Sequence, residues 1–215
     1  MKHAATLLMR CTVFVLCILA LPRPGAAAVP IPITPEIRQV LERAEKYLDG
    51  IKTMQAEFLQ ISSNGETAEG EILLSRPKNL RIDYAPPTPI LIVANGEFLS
   101  YVDKELKQVS HIPIDDTPAA FLLRDSFSFS GDALTVTGFE RQANTVRISI
   151  VQTKDPLAGE LTLVFSENPM VLRKWVIIDA QGVITDLTLI NARFDFPIPE
   201  KRFLSDFPEF APSGN

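Results

Sequence analysis

The sequence predicts a mainly β domain of antiparallel strands, a sandwich or barrel, preceded by one amphipathic helix. Three observations carry this. A helical apolar stripe lies between positions 36 and 51, the period changes to two directly after it, and turn residues separate many short apolar runs.

The first 28 residues have a different character. Met1–Arg10 carries Lys2 and Arg10, and Cys11–Leu21 is apolar apart from Thr12. Pro22, Pro24 and Gly25 then break any helix before Ala26-Ala27-Ala28. This is the pattern of a secretory signal peptide, with cleavage expected after Ala28 and Ala27 as the near alternative. The run is about half the ~20 apolar residues that span a bilayer. Lipid attachment at Cys17 needs small residues before it, where Val15 and Leu16 stand. Segment 1–28 is therefore expected to leave, with 29–215 as one domain of sufficient length for a sizeable core. Cys11 and Cys17 leave with it, which excludes a disulfide, a thiol nucleophile and a zinc–thiolate site in the remainder. Of 21 Lys+Arg and 26 Asp+Glu, Lys2, Arg10 and Arg23 are also lost, leaving a balance near about −8. Such a chain is repelled by nucleic acid and anionic headgroups.

Val29–Pro35 is proline-rich and expected to be extended. Thr34 is placed to cap the helix, with Pro35 at its first position. From Glu36 to Ile51 the stripe is Ile37, Val40, Leu41, Ala44, Tyr47, Leu48 and Ile51, ended by Asp49-Gly50. The other face carries Glu36, Arg38, Glu42, Arg43, Glu45 and Lys46. Met54, Ala56 and Phe58 then alternate with Gln55, Glu57 and Leu59. Glu69–Ser75 and Leu80–Tyr84 follow, and after Pro86-Pro87-Thr88-Pro89 come Ile90–Ala94 and Glu97–Asp103. Asn95-Gly96 between these two is a strong hairpin signal. Leu106–Ile114 continues the meander. Thr117–Arg124 interrupts it, with Thr117 as cap and Pro118 opening a short, almost wholly apolar helix. Strand patterns resume at Ala133–Phe139, Thr145–Gln152, Glu160–Ser166, Val171–Asp179 and Val183–Phe194.

Catalytic chemistry is poorly supplied. Beyond the leader, His111 is the one histidine, beside Ile112 and Pro113, where a structural role is the better reading. Asp115 and Asp116 are adjacent and point apart, as solvated loop residues do. Neither a G-x-S-x-G elbow nor H-E-x-x-H nor a glycine-rich phosphate loop occurs, and metal binding has no ligand cluster. Apolar strand surface is instead plentiful. A single curved sheet has one concave face to cover, and the two helical segments are the only candidates. Packed loosely they leave a lipid-sized cavity, and packed tightly they shut it. On composition both readings stay open.

Several blocks resemble the outer-membrane lipoprotein carrier (LolA) family in its alphaproteobacterial form. They are Ala56-Glu57-Phe58-Leu59-Gln60, Gly70–Pro77 running on to Asp83-Tyr84-Ala85-Pro86-Pro87, and Asn95-Gly96 through Tyr101. Thr117-Pro118 with Leu122-Leu123, and Trp175 through Gly182 to Thr185, complete the set. Each is weak alone; in order along the chain they are specific.

The resemblance implies an incomplete antiparallel β-barrel, α+β in class, with the N-terminal helix and a short lid helix covering its concave apolar face. It implies a monomeric periplasmic shuttle without cofactor, metal or chemical reaction, and with no affinity for nucleic acid. Its cargo would be acylated lipoproteins, released by an inner-membrane ABC transporter and passed to an outer-membrane acceptor lipoprotein. Arg76 follows Ile72 and Leu74 at period two, so its side chain should share their face. There it would find carbonyls at the lid's helix ends and act as a latch that lipid entry breaks. By parity the acyl-chain site is lined by Ala56, Phe58, Ile72, Leu74, Leu80, Ile82 and Tyr84, with Leu41, Leu48, Phe121 and Leu122 from the helices. Ile82 departs from the aromatic residue common in the family. A sensor or carrier of another lipid or glycolipid, and a periplasmic hydrolase, are the competing readings.

Overall fold

The structure, a computed structural model, describes residues 29–204. The expected signal segment 1–28, its cleavage point, Cys11, Cys17 and the tail 205–215 lie outside the described residues. Pro35–Gly50 forms helix α1, and Thr34 caps it as expected, its Oγ1 accepting from Ile37 N at 3.3 Å. Pro35 loses nothing at a position whose N–H has no helical acceptor. The stripe turns Val40, Leu41, Ala44 and Leu48 inward.

Eleven strands follow: β1 (Thr53–Ser62), β2 (Thr67–Ser75), β3 (Asn79–Tyr84), β4 (Ile90–Asn95), β5 (Phe98–Asp103), β6 (Gln108–Pro113), β7 (Leu134–Gln142), β8 (Thr145–Gln152), β9 (Gly159–Glu167), β10 (Met170–Asp179) and β11 (Ile184–Phe194). They make one antiparallel sheet in the order β6-β5-β4-β3-β2-β1-β11-β10-β9-β8-β7. Hairpins join every neighbouring pair except β1 and β11, so the two ends of the strand sequence meet in the middle. The edges are β6 and β7, which do not pair, and the sheet stays open. The chain must pass from one edge to the other, and it does so through two 3₁₀ turns, Ile114–Asp116 and Pro118–Leu123. The lid is that crossing.

Period-two patterning lays the apolar residues out in rows across the strands. Met54, Leu74, Leu80, Ala94 and Leu99 form one row, and Ala56, Ile72, Ile82 and Ile92 the next. With α1, Ala120, Leu122 and Leu123 of the lid, and Val136, Ile148, Leu163 and Trp175 of the other half, they form one core.

The structure corrects the sequence reading at two points. The short lid helix is 3₁₀, and Thr117 does not cap it: its hydroxyl turns back to donate to Ile114 O at 2.8 Å. The strand expected at Leu106–Ile114 shrinks to β6, because Ile114 already belongs to the turn. His111 is exposed on β6, and its Nδ1 lies 3.0 Å from Ser100 Oγ. Leu91, Val93 and Val102, on the face opposite the concave rows, are buried in a second cluster with Val109. A 3₁₀ turn, Glu200–Phe203, lies against β3 and β4 on this side, with Phe203 buried and Arg81 Nη1 donating to Leu204 O at 2.9 Å.

Two details fix the geometry under the lid. Gly70 faces Phe58 on β1 and Tyr84 on β3, and their rings meet edge to face at 5.2 Å. A Cβ at Gly70 would stand 2.1 Å from Asp83 O and 2.7 Å from the Phe58 ring. Only glycine leaves that space. Against the middle of α1, Glu167 is 3% exposed and takes Arg141 in two bonds, at 2.8 and 2.7 Å, with Arg43 of α1 at 2.5 Å. The Arg141 bonds hold its carboxyl below the usual range against the opposing effect of burial, and Arg43 adds to this.

Gly70→Ala is expected to cost about 3 kcal/mol of unfolding free energy, the upper end for overpacking a core; a urea midpoint equal to wild type would refute the close approach. Glu167→Gln should cost about 2 kcal/mol, as charged hydrogen bonds do, with both arginines left half-exposed and so partly hydrated. Because the folded pKa is depressed, this contribution is full above the unfolded carboxylate value and is lost as pH falls through the folded one. Acid titration of wild type and variant should therefore converge at low pH.

Candidate functional site

The site centres on Arg76. Strand β2 ends at Ser75, and Arg76 N is held by Lys52 O at 2.9 Å, which continues the pairing with the chain entering β1. The half-buried guanidinium points under the two covering elements. Its Nε donates to Leu122 O of the lid at 2.8 Å, and its Nη1 donates to Leu48 O of α1 at 2.6 Å. One side chain on the sheet therefore ties down both covers. Both acceptors lie near helix ends, and Leu48 O is shared with the capping Ile51 N, which reaches it at 3.2 Å. Lys78 N adds a third tie, to Leu123 O at 3.1 Å. Burial pulls the Arg76 pKa down, while Asp49 and Asp125 oppose this. A guanidinium keeps its proton in any such setting.

Sequence reasoning placed the lid's carbonyls opposite Arg76 but missed Leu48 O. It also missed a second set of ties. Asp49 Oδ1 accepts from Phe127 N at 2.7 Å, and Glu45 Oε1 accepts from Phe129 N at 2.5 Å. Phe127 and Phe129 are buried, with ring centroids 4.7 Å apart. The signal was present in Ser126-Phe127-Ser128-Phe129-Ser130, an alternation that parity reads as a face turned inward.

The residues named for the acyl-chain site come together. Leu41, Leu48, Ala56, Phe58, Ile72, Leu74, Leu80 and Leu122 are all buried, packed between α1, the lid and the sheet. Ile82 and Tyr84 pack at the margin of the same core, partly exposed. The Phe121 side chain lies outside the described residues. Tyr84 donates to Gln60 Oε1 at 2.8 Å, and burial with Tyr101 nearby leaves its pKa pushed up to about 12, so it remains a neutral phenol. The recess that opens under the lid lies on the other half of the sheet. Thr117, Ala120, Leu134, Ile150, Leu161 and Ile177 line it, and it holds about 60 Å³. One water needs roughly 10–15 Å³ by this measure, so the recess takes a few small groups, short of one acyl chain. The lid is shut.

Among the described residues no group of three or more His, Cys, Asp or Glu side chains is placed to hold a metal ion. Among them, too, no helix is long and apolar enough to cross a membrane.

Comparison with known proteins agrees with this arrangement. The model of the family described as outer membrane lipoprotein carrier protein LolA matches residues 49–205. An uncharacterized protein of Rickettsia prowazekii is 30% identical over 145 residues, 67% of each chain. An outer-membrane lipoprotein carrier protein of Pseudomonas paraeruginosa is 27% identical over 179 residues, 78% of this chain and 84% of that one. Among solved structures, a LolA superfamily protein of Nitrosomonas europaea aligns over 79% of this chain and 98% of its own, with a TM-score of 0.47 and 12% identity. The family match takes in the whole sheet and the lid, and the chain belongs to the outer membrane lipoprotein carrier protein (LolA) family.

Proposed function

We propose that this chain is a periplasmic carrier that takes the acyl chains of lipoproteins released from the inner membrane and delivers them to the outer membrane. Segment 1–28 would direct its export and then be removed. The observation that supports this best is the double tie of Arg76 to Leu48 O and Leu122 O above a continuous apolar face. Acyl chains cannot cross water unaided, because each methylene leaving an apolar phase costs about 0.8 kcal/mol. A carrier must substitute its own apolar surface. The concave rows of Ala56, Phe58, Ile72, Leu74, Leu80, Ile82 and Tyr84, with Leu41, Leu48, Phe121 and Leu122, are that surface once the lid lifts.

Lifting exchanges apolar contacts with the lid for apolar contacts with lipid, a near-neutral trade. The bond from Arg76 Nε to Leu122 O is made only when the lid is shut, so it biases the protein toward the empty form and helps expel the cargo. An ABC transporter would load it against that bias, and an outer-membrane acceptor would receive the cargo. The same surface would also hold another lipid, and native mass spectrometry of protein taken from the periplasm separates the cases. Bound acylated protein supports the lipoprotein carrier, free glycolipid another carrier, and released fatty acid a hydrolase.

Arg76→Leu should fold, bind a triacylated lipopeptide more tightly and release it more slowly. Loss of about 2 kcal/mol of closed-state bonding shifts the apparent affinity roughly thirtyfold. Lipopeptide binding and transfer equal to wild type would end the latch.

A further inference from the structure

We infer that Glu45 and Asp49 are positioning residues that make the Phe127–Phe129 segment the hinge of the lid, while Arg76 holds its free side. The inference rests on the carrier reading and adds to it which part of the lid moves. Glu45 and Asp49 stand one turn apart on α1 and so share a side of the helix. Both spend their carboxylates on main-chain donors of one short segment. Phe127 N reaches Asp49 Oδ1 at 2.7 Å, Phe129 N reaches Glu45 Oε1 at 2.5 Å, and Ser128 Oγ reaches Glu45 Oε1 at 3.1 Å. The two rings between these bonds are buried at 3% and 5% exposure. Bonds to ionised acceptors are stronger than neutral ones, and truncating one buried Phe ring costs several times the value of a surface contact.

The lid proper is held differently. Its attachments at Leu122 and Leu123 are carbonyls that regain water when the lid lifts. Its described inward side chains, Ala120, Leu122 and Leu123, are apolar groups for which lipid is an equivalent partner. Between the two attachments run Arg124, half-buried, and Asp125 and Ser126, both exposed. A turn with few contacts therefore joins a releasable part to a fixed one. α1 can serve as the fixed frame because Glu167 grips it through Arg43.

Amide hydrogen exchange of the lipid-free protein tests this. Arg76→Leu should raise exchange at least tenfold from Ala120 to Arg124 and leave the Phe127 and Phe129 amides at wild-type protection. Arg76→Lys, which keeps the charge, serves if the leucine variant does not fold. Glu45→Gln, which leaves the Asp49 carboxylate near Arg76 in place, should raise exchange at Ala120–Arg124 too; a purely local role moves only Ser128 and Phe129. Joint loss of protection at both segments in the Arg76 variant, or unchanged lid exchange in the Glu45 variant, overturns the hinge. Neither readout uses lipid, so a carrier reading that fails by native mass spectrometry is a separate result.

Discussion

An antiparallel sheet that curls without closing has an apolar concave face and no strand left to cover it. Everything else in this protein answers that constraint. β6 and β7 remain unpaired to each other, so the connection between them must cross the mouth. Crossing there makes it a cover, and burying Ala120, Leu122 and Leu123 makes it an apolar one. α1 covers the rest with Val40, Leu41, Ala44 and Leu48. Covers of this kind have no ladder to hold them, so their polar attachments are few, among them Arg76 to both, Lys78 N to the lid, Glu45 and Asp49 to the segment after it, and Arg43 of α1 to Glu167.

Those few bonds matter more than the apolar area above which they sit. Area is large in both the shut and the loaded form, because lipid replaces lid against the same rows, and large equal terms cancel. What does not cancel is a donor that has an acceptor in one form only. A difference of about 1–3 kcal/mol is enough to reverse the populations of two forms, and the one charge-assisted bond from Arg76 to the lid lies in that range. The scarcity of polar contacts in the covers thus leaves the balance to be set by single residues.

The concave rows were legible in the sequence because parity is a local property: Met54, Ala56 and Phe58 repeat at two, and the unbroken β1–β2 register keeps them on one face. Thr34-Pro35 marked the helix start for an equally local reason. The convex cluster was not legible from alternation. Ile90–Ala94 is a continuous apolar run, the mark of a strand buried on both faces, but its outer cover arrives from Glu200–Phe203, more than a hundred residues later. The same distance hid Glu167, whose partners Arg43 and Arg141 stand 124 and 26 positions away. Leu48 O escaped notice because a carbonyl carries no letter in the sequence. Arg76 could be predicted to seek acceptors, and only the fold says which.

Charge placement separates the moving cover from the fixed one. The lid from Pro118 to Leu123 contains no ionisable side chain, so lifting it moves no charge of its own and strands no buried ion. α1 is the opposite case. Its Arg43 is paired with a carboxylate buried in the sheet, and pulling α1 away would leave Glu167 with Arg141 alone in a site shielded from water. Removing one partner from a buried ion pair is costly, whereas exchanging alkyl side chains for alkyl tails is not. The easier motion is therefore the one that leaves α1 seated and swings the uncharged Pro118–Leu123 turn, and the arginine that must let go is the one whose acceptors are carbonyls rather than carboxylates.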